Sequence, residues 1–420
     1  MAYLKIPTSS LKPGMYVARL DRSWLETPFP FQGFVVETGG EIEEFRRLCR
    51  HVYIDADRSR AEMRRDEFPE AEAADQDLDG PAGREAFRHQ VNGAADTREV
   101  TRRQIRRVLT DLRLGRHIDV DNTRFVVTKM VDSIVRYRDA SIWLTQLKNQ
   151  DEYTCLHCLN VCVLTVSFCH YLGYSKTDLE TIGLGALLHD VGKALTPPEL
   201  LNKPDALTPE ELQVLRRHPE DGYRLMVSQT NLPEVSLSVI RHHHERINGQ
   251  GYPKGLDSDE LHVPILATAV CDVYDAITSD RSYSRAQPAD RAVQMMQQQA
   301  DRTFGGELMH NFVKCIGIYP VGSMVELNNG CIGLVVSAPE NNRLKPRVLV
   351  VSDQKHQAIE QRALVDLARM AGEPNGEEWQ IHRLLAPSEA PLDARKVVIS
   401  EAFDTPAVDA NLEPLSARGL

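Results

Sequence analysis

Short apolar runs separated by Gly, Pro and Asp mark the first 56 residues. They predict strands at Met15–Leu20, Phe34–Glu37 and Val52–Asp55, because such runs bounded by turn-forming residues are typical of strands. Apolar residues at helical spacing predict a helix over Glu41–Cys49. The pattern therefore indicates a small α+β regulatory domain at residues 1–56.

A helical pattern begins at Arg98. Ile105, Val108, Leu109 and Leu112 recur at the three- and four-residue intervals of a buried helix face. The same spacing continues to residue 318 and is interrupted by loops at residues 196–206 and 248–263. This predicts an all-helical domain at residues 98–318.

The pattern changes to strands after Tyr319-Pro320. Apolar runs at residues 323–327, 332–336 and 348–351 are typical of strands, and Asn328-Asn329-Gly330 between the first two is typical of a hairpin turn. A small β-barrel-like domain is expected at residues 319–385.

Two segments lack a core-forming pattern. Residues 57–97 are dominated by Asp, Glu, Arg, Ala and Gly, which bury too little apolar surface to offset their ordering entropy. They are predicted to be a flexible charged linker, and the Pro-containing residues 386–420 a loosely ordered tail. The predicted fold class is multidomain and mainly α, with a small domain at each end of a helical core.

Charge and composition limit the partners and the location that can be expected for this chain. The chain has 49 basic and 60 acidic residues, a net charge of −11, so binding to nucleic-acid polymers is not expected. The N-terminus has no apolar leader, and no stretch is read as a membrane span, so a cytoplasmic protein without membrane insertion is expected. The eight cysteines fit a reducing compartment. Cys155 and Cys158 are interpreted as packing residues, with a redox pair as the alternative.

A His-Asp pair follows the apolar run Ile182–Leu188. Burying the charge of Asp190 beside His189 is costly unless a metal ion, an ion pair or a helix cap compensates it. Further His and Asp residues stand in apolar helical contexts, and the complete set is His157, His189, Asp190, His218, His243, His244 and Asp272. Seven such groups are enough for two metal ions bridged by Asp190, which could activate a hydroxide and hold a phosphate ester. The alternative is a set of unrelated, hydrogen-bonded polar groups.

These residues lie in motifs that resemble the HD-GYP family of cyclic di-GMP phosphodiesterases, a branch of the HD metal-dependent phosphohydrolases. The matching segments are Tyr153–Val161, His189–Lys193, Leu201–Pro204 with Leu207-Thr208, His218-Pro219, His243–Pro253 and Asp272–Arg281. The stretch His243–Pro253 separates this branch from other HD nucleotidases. The N-terminal unit and the hairpin region also resemble domains that flank HD-GYP domains.

The resemblance implies hydrolysis of the bacterial second messenger cyclic di-GMP to pGpG, GMP or both. It implies that the seven residues bind two divalent metal ions, Fe or Mn, with Zn or Ni as alternatives. A bridging water would attack phosphorus, with Asp190 and Lys193 as catalytic candidates. Asp275 is a third catalytic candidate, and it is expected to orient a ligand, shuttle a proton or form a salt bridge.

The resemblance also implies substrate contacts. Lys193 and Arg281 correspond to phosphate-binding groups, and Arg285 is a further substrate-binding candidate. Tyr252, in the loop Gly251–Pro253, is expected to contact a guanine or a partner protein, with loop packing as the alternative.

Three positions depart from the family pattern. Tyr153 stands where some members carry a Glu that holds a third metal, which favours a two-metal site. Asn248-Gly249 replaces Asp-Gly, and Asn also tolerates a tight turn. The run Ser282–Arg285 differs from the usual Pro-Tyr and basic residue, which puts one substrate contact in doubt.

The sequence therefore leaves three classes of function open. The first is the phosphodiesterase; the second is a non-catalytic cyclic di-GMP receptor; the third is an HD phosphohydrolase acting on cyclic GMP-AMP or another nucleotide. Further expectations are a diguanylate cyclase as a partner of the Gly251–Pro253 loop and a homodimer.

Overall fold

The computed structural model describes most of the chain. The described residues are 4–22, 34–36, 39–55, 59, 81–145, 153–201, 203, 205, 207–280, 285–338, 345–368, 379–386 and 389.

The N-terminal unit is an antiparallel sheet covered by one helix. Its elements are β1 (Leu4–Pro7), β2 (Tyr16–Leu20), β3 (Phe34–Val35), α1 (Gly39–Leu48) and β4 (His51–Asp55). The strand order is β1-β4-β2-β3, and Ile42 and Phe45 of α1 are buried in the core of this unit. The predicted α+β composition is confirmed, and β1 is an additional strand that the pattern did not indicate.

Thirteen further helices form the middle of the described chain. They are α2 (Pro81–Arg113), α3 (Val120–Arg136), α4 (Arg138–Thr145), α5 (Tyr153–Tyr171), α6 (Lys176–Leu188), α7 (Pro198–Leu201), α8 (Pro209–Leu215), α9 (His218–Gln229), α10 (Glu234–His242), α11 (Val263–Thr278), α12 (Ala289–Gln297), α13 (Ala300–Thr303) and α14 (Gly306–Ile316). The helical nature of this region is confirmed. Helix α2 begins inside the predicted linker, so residues 81–97 are helical, and Ala94 is buried in a core cluster.

Helix α5 is apolar on nearly all sides, which is typical of a helix at the centre of a core. It packs against α2, α6 and α11. The stretch Thr154–Tyr171 is long and apolar enough to cross a membrane, with a mean hydropathy of 1.3, but 78% of it is buried. That burial is consistent with the core helix of a soluble protein.

Two backbone segments approach each other closely at Gly192. This residue lies in a 3₁₀ turn, Val191–Leu195, that follows α6 and packs against α9. A Cβ atom on Gly192 would lie 2.0 Å from the carbonyl oxygen of His218 and 2.6 Å from the amide nitrogen of Gly222. Only glycine therefore allows this turn to touch the start of α9.

Replacing Gly192 with Ala is expected to lower the free energy of unfolding by about 3 kcal/mol, since backbone atoms must move to admit the methyl group. Urea unfolding measures the change. The matched control is Gly93→Ala in α2, where the nearest atom lies 3.9 Å from the new Cβ. That variant is expected to gain about 0.5–1 kcal/mol from its helix-interior position. Equal stabilities for the two variants would contradict the close approach.

The C-terminal strands form an open antiparallel sheet. They are β5 (Met324–Leu327), β6 (Ile332–Ser337), β7 (Arg347–Ser352), β8 (Ala358–Asp366) and β9 (Ile381–Leu384), in the order β8-β7-β6-β5-β9. The hairpin at Gly330 is confirmed, with φ of 83° at that residue. The prediction of a barrel is wrong for this sheet, because β8 and β9 lie at opposite edges and do not pair with each other.

Candidate metal centre

The His-Asp pair lies where α6 ends. Ser175 caps the start of α6 through a capping box with Asp178, and the helix runs through buried residues to Leu188. His189 is the C-cap of α6, and Asp190 directly precedes the 3₁₀ turn. Their side chains are 0% and 1% exposed, so the chain carries both groups into the core.

The carboxylate of Asp190 stands between two groups of imidazoles. Its Oδ1 lies 3.2 Å from Nε2 of His218 and 3.9 Å from Nε2 of His243. Its Oδ2 lies 3.4 Å from Nε2 of His189 and 3.7 Å from Nε2 of His157. One carboxylate thus faces ligand atoms on both sides, which is the arrangement expected of a bridge.

A second carboxylate completes the cluster. Asp272 of α11 places Oδ1 3.1 Å from Nε2 of His157 and Oδ2 3.8 Å from Nδ1 of His244. The potential ligands fall into two sets whose donor atoms lie within 4.8 Å of one another: Asp190, His218, His243 and His244; and His157, His189 and Asp272. All seven residues predicted as ligands are therefore brought together.

Backbone carbonyl groups orient three of the imidazoles. Nδ1 of His189 lies 2.8 Å from the carbonyl oxygen of Ala186, and Nδ1 of His218 lies 2.7 Å from that of Leu215. His243 makes the equivalent contact at 3.0 Å, also with the residue three positions earlier. Because a carbonyl oxygen only accepts, each Nδ1 carries the proton and each Nε2 presents its lone pair to the cluster.

The protonation states of His243, His244 and Asp190 suit metal ligands. Burial and the neighbouring rings of His189 and His218 hold the pKa of His243 well below its ordinary value. Burial and the neighbouring His243 also hold the pKa of His244 well below its ordinary value. Burial opposes ionisation of Asp190, but Lys193 and His189 outweigh it and hold its pKa well below the usual range. Neutral imidazoles and ionised carboxylates are the forms that coordinate divalent cations.

Two acceptor atoms in this cluster have no donor. Nε2 of His189 and Oδ1 of Asp190 are buried, and neither has a hydrogen-bond partner in the described part of the chain. Oδ1 faces Nε2 of His218, whose proton is on Nδ1, so two lone pairs point at each other. A cation between such groups removes the repulsion. The donor set of imidazoles and carboxylates fits Fe, Mn, Zn or Ni.

Lys193 lies at the open side of the cluster. Its Nζ is 2.6 Å from Oδ2 of Asp190, and its side chain is 24% exposed. Burial lowers the pKa of Lys193, but Asp190 outweighs this effect and raises it, so the ammonium group stays charged. A charged, partly exposed donor beside the bridge can contact a phosphate oxygen.

Asp275 lies behind His157. Its Oδ2 is 2.8 Å from Nδ1 of His157, and its Oδ1 accepts a hydrogen bond of 3.0 Å from Nδ2 of Asn160. Although burial lowers the pKa of His157, Asp272 and Asp275 raise it to about 9. Of the roles left open by the sequence, orientation of a ligand is the one that this position favours.

A buried carboxylate supports the loop beside the cluster. Glu245 accepts hydrogen bonds from the amide nitrogens of Lys254 at 2.7 Å, Gly255 at 3.2 Å and Leu256 at 3.1 Å. Tyr252 stacks on His244 with ring centroids 4.6 Å apart. The sequence analysis gave Glu245 no role, although its position directly after two ligands was a signal.

The guanidinium of Arg216 lies 5.3 Å from the Tyr252 ring, on the solvent side of that loop. Arg285 is exposed, and no described contact joins it to the ligands. Arg281 and the side chain of Tyr153 lie outside the described residues.

Cys155 and Cys158 are free and buried, and burial raises the pKa of both thiols, which favours packing over redox chemistry.

Comparisons with known families cover most of the chain. Residues 3–123 match a domain of unknown function, DUF3391; residues 140–308 match the HD domain; and residues 324–371 match a KOW domain associated with HD domains.

Three curated proteins are similar over different lengths. A cyclic di-GMP phosphodiesterase of Pseudomonas aeruginosa is 33% identical over 392 residues, which covers 90% of this chain and 94% of the relative. A cyclic di-GMP phosphodiesterase of Thermotoga maritima is 31% identical, covering 45% of this chain and 49% of the relative. A 3'3'-cGAMP-specific phosphodiesterase of Vibrio cholerae is 29% identical, covering 36% of this chain and 30% of the relative.

Proposed function

The chain belongs to the HD-GYP family of HD-domain proteins, and from this we propose that it is a metal-dependent phosphodiesterase that hydrolyses cyclic di-GMP to pGpG, GMP or both. The observation that carries the proposal is the convergence of seven ligands around Asp190, in a chain alignable over 90% of its length with a curated cyclic di-GMP phosphodiesterase. A receptor without catalytic activity has no use for a complete ligand set, so the enzyme is favoured.

Each residue of the cluster has a task in this reaction. His157, His189, Asp190, His218, His243, His244 and Asp272 would hold two divalent ions. Such ions supply an activated water and neutralise charge on a phosphodiester. The ammonium of Lys193 lies beside Asp190, where it stabilises the negative charge that develops on the phosphoryl oxygens. Tyr252 stacks on the ring of His244, and its proposed task is to contact a guanine base of the substrate.

Substrate choice has a second candidate. The Vibrio cholerae relative is named as specific for 3'3'-cGAMP, so cyclic GMP-AMP is an alternative substrate for the same cluster. Identity to the Pseudomonas aeruginosa protein extends over both flanking domains, which favours cyclic di-GMP.

The test is an end-point hydrolysis assay. The protein is stripped of metal, reloaded with Mn, Fe, Zn or Ni, and incubated with cyclic di-GMP or cyclic GMP-AMP, and the products are separated by chromatography. Metal-dependent pGpG or GMP from cyclic di-GMP is the expected result. Binding of cyclic di-GMP without turnover under any metal supports the receptor instead, and turnover of cyclic GMP-AMP alone supports the second substrate.

The finer predictions follow from the same proposal. Two ions per chain, Fe or Mn, are expected because Tyr153 replaces the Glu of a third site, and accumulation of pGpG is then expected. The enzyme is proposed to act in the cytoplasm. A diguanylate cyclase partner and a homodimer stay predictions of the sequence.

A further inference from the structure

A half-buried arginine lies on the core-facing side of α2. The buried face of this helix contains Ala94, Thr101, Ile105 and Val108, and Arg98 lies on the same face, three residues before Thr101. Its guanidinium points inward, and burial lowers the pKa of Arg98 to about 10 although Asp275 opposes this effect. A charge at such a position requires a specific partner.

The partner belongs to the surroundings of the metal cluster. Nη1 of Arg98 donates a hydrogen bond of 3.0 Å to Oδ1 of Asn160 in α5. Nδ2 of Asn160 donates a hydrogen bond of 3.0 Å to Oδ1 of Asp275 in α11. Asp275 accepts from Nδ1 of His157, whose Nε2 faces Asp272. Three helices thus contribute to one chain of hydrogen bonds that ends on a metal ligand.

Arg98 helps to determine which end of the Asn160 amide faces Asp275, together with the carbonyl oxygen of Thr145, which accepts from Nδ2 of Asn160 at 3.4 Å. A guanidinium can only donate, so it holds the carbonyl oxygen of Asn160 on its own side. The NH₂ group of Asn160 is then left for the Asp275 carboxylate, which can only accept. With Arg98 removed, the carbonyl end of the Asn160 amide loses its donor, and the amide that donates to Asp275 behind His157 is held less firmly.

A small cavity lies next to this arginine. Ala94, Thr97 and Arg98 of α2 line it together with Ser133 of α3. Nη2 of Arg98 and Oγ of Ser133 are both buried and have no described partner. Asn160 is the one described hydrogen-bond partner that links Arg98 to the metal ligands.

Arg98 also lies outside the HD domain as defined by similarity. The HD domain matches residues 140–308, whereas Arg98 falls within residues 3–123, which match the domain of unknown function. We propose that Arg98 is a positioning residue for the metal ligand His157, acting through Asn160 and Asp275, so that the N-terminal matched region supports the metal centre from behind.

The first experiment measures metal affinity without nucleotide. Full-length Arg98→Met is titrated with Mn against a competing chelator. We expect binding about 10- to 100-fold weaker than in the wild-type protein, the range for residues that orient a ligand from behind. The matched control is Arg103→Met on the same helix, where the side chain is 73% exposed and pairs with Glu99. This control is expected to bind Mn as the wild-type protein does.

The second experiment separates positioning from general destabilisation. In a double-mutant cycle, Arg98→Met is expected to add no further loss of Mn affinity when Asp275 is already Asn, because both changes break one chain of contacts. Additive losses would overturn the proposal, as would wild-type Mn affinity in Arg98→Met. If Arg98→Met does not fold, Asn160→Leu breaks the same chain while leaving Arg98 in place, and it must show the same loss.

The inference rests on the metal centre of the proposed function but not on its substrate. If the protein binds Mn and hydrolyses no cyclic dinucleotide, the proposed function fails and the Arg98 measurements stay informative. If hydrolysis is observed and Arg98→Met binds Mn normally, only the role of Arg98 fails.

Discussion

A protein in which His189 and Asp190 are both replaced by Ala is expected to retain no metal and to lose turnover of cyclic di-GMP to below detection. The reason is geometric: Asp190 faces imidazoles from both sets of ligands, and His189 belongs to the second set. Removing both side chains takes a ligand from each set and the bridge between them. Elemental analysis of the purified protein and the chromatographic assay measure the two effects.

The control for this variant changes the same residue types elsewhere. His310 and Asp259 are exposed, and replacing both with Ala is expected to leave metal content and turnover unchanged. Circular dichroism of each variant checks that the helical fold is intact. If the His189→Ala, Asp190→Ala variant retains nearly as much metal as the wild-type protein, the assignment of the metal centre is contradicted.

Replacing Lys193 with Met is expected to lower kcat by about 10²- to 10³-fold while the protein keeps its metal. The ammonium lies 2.6 Å from Oδ2 of Asp190 and remains charged, so its loss removes a preorganised charge beside the reacting phosphate. It is not among the seven ligands, which is why metal content should not fall. The measurements are steady-state kinetics with cyclic di-GMP and elemental analysis of the same preparation.

Lys176→Met is the matched control, because Lys176 is 55% exposed and pairs with Asp132 on the surface. Its kcat is expected to equal that of the wild-type protein. An unchanged kcat in Lys193→Met would exclude charge stabilisation by this lysine, and a loss of metal would assign it a structural role instead.

Some residues of the site could be predicted from the sequence and others could not. The residues proposed as metal ligands are His and Asp side chains in apolar helical contexts, where such residues are uncommon, and all seven converge in the structure. Asn160 and Arg98 carry no such signal, because an amide or a single arginine on a helix has many ordinary explanations. Their contact joins residues 62 positions apart, which no local pattern reveals.

The fold, too, could be predicted from the sequence only where the pattern is local. The hairpin at Gly330 depends on a turn of a few residues, and its pattern is local. Closure of a barrel depends on pairing between the two outermost strands, and here β8 and β9 lie at opposite edges of the sheet. Residues 81–97 were predicted as part of the linker because their composition is polar, yet they form the first half of α2.

By itself, the sequence determined the class of chemistry and the helical domain that carries it, because residue type and local spacing are properties of the chain. The tertiary structure decided which atoms meet. The backbone contact at Gly192 brings α9 and its His218 to Asp190, three carbonyl groups direct imidazole lone pairs inward, and Asn160 connects Arg98 to Asp275. These contacts join distant segments, so they exist only after the helices have packed.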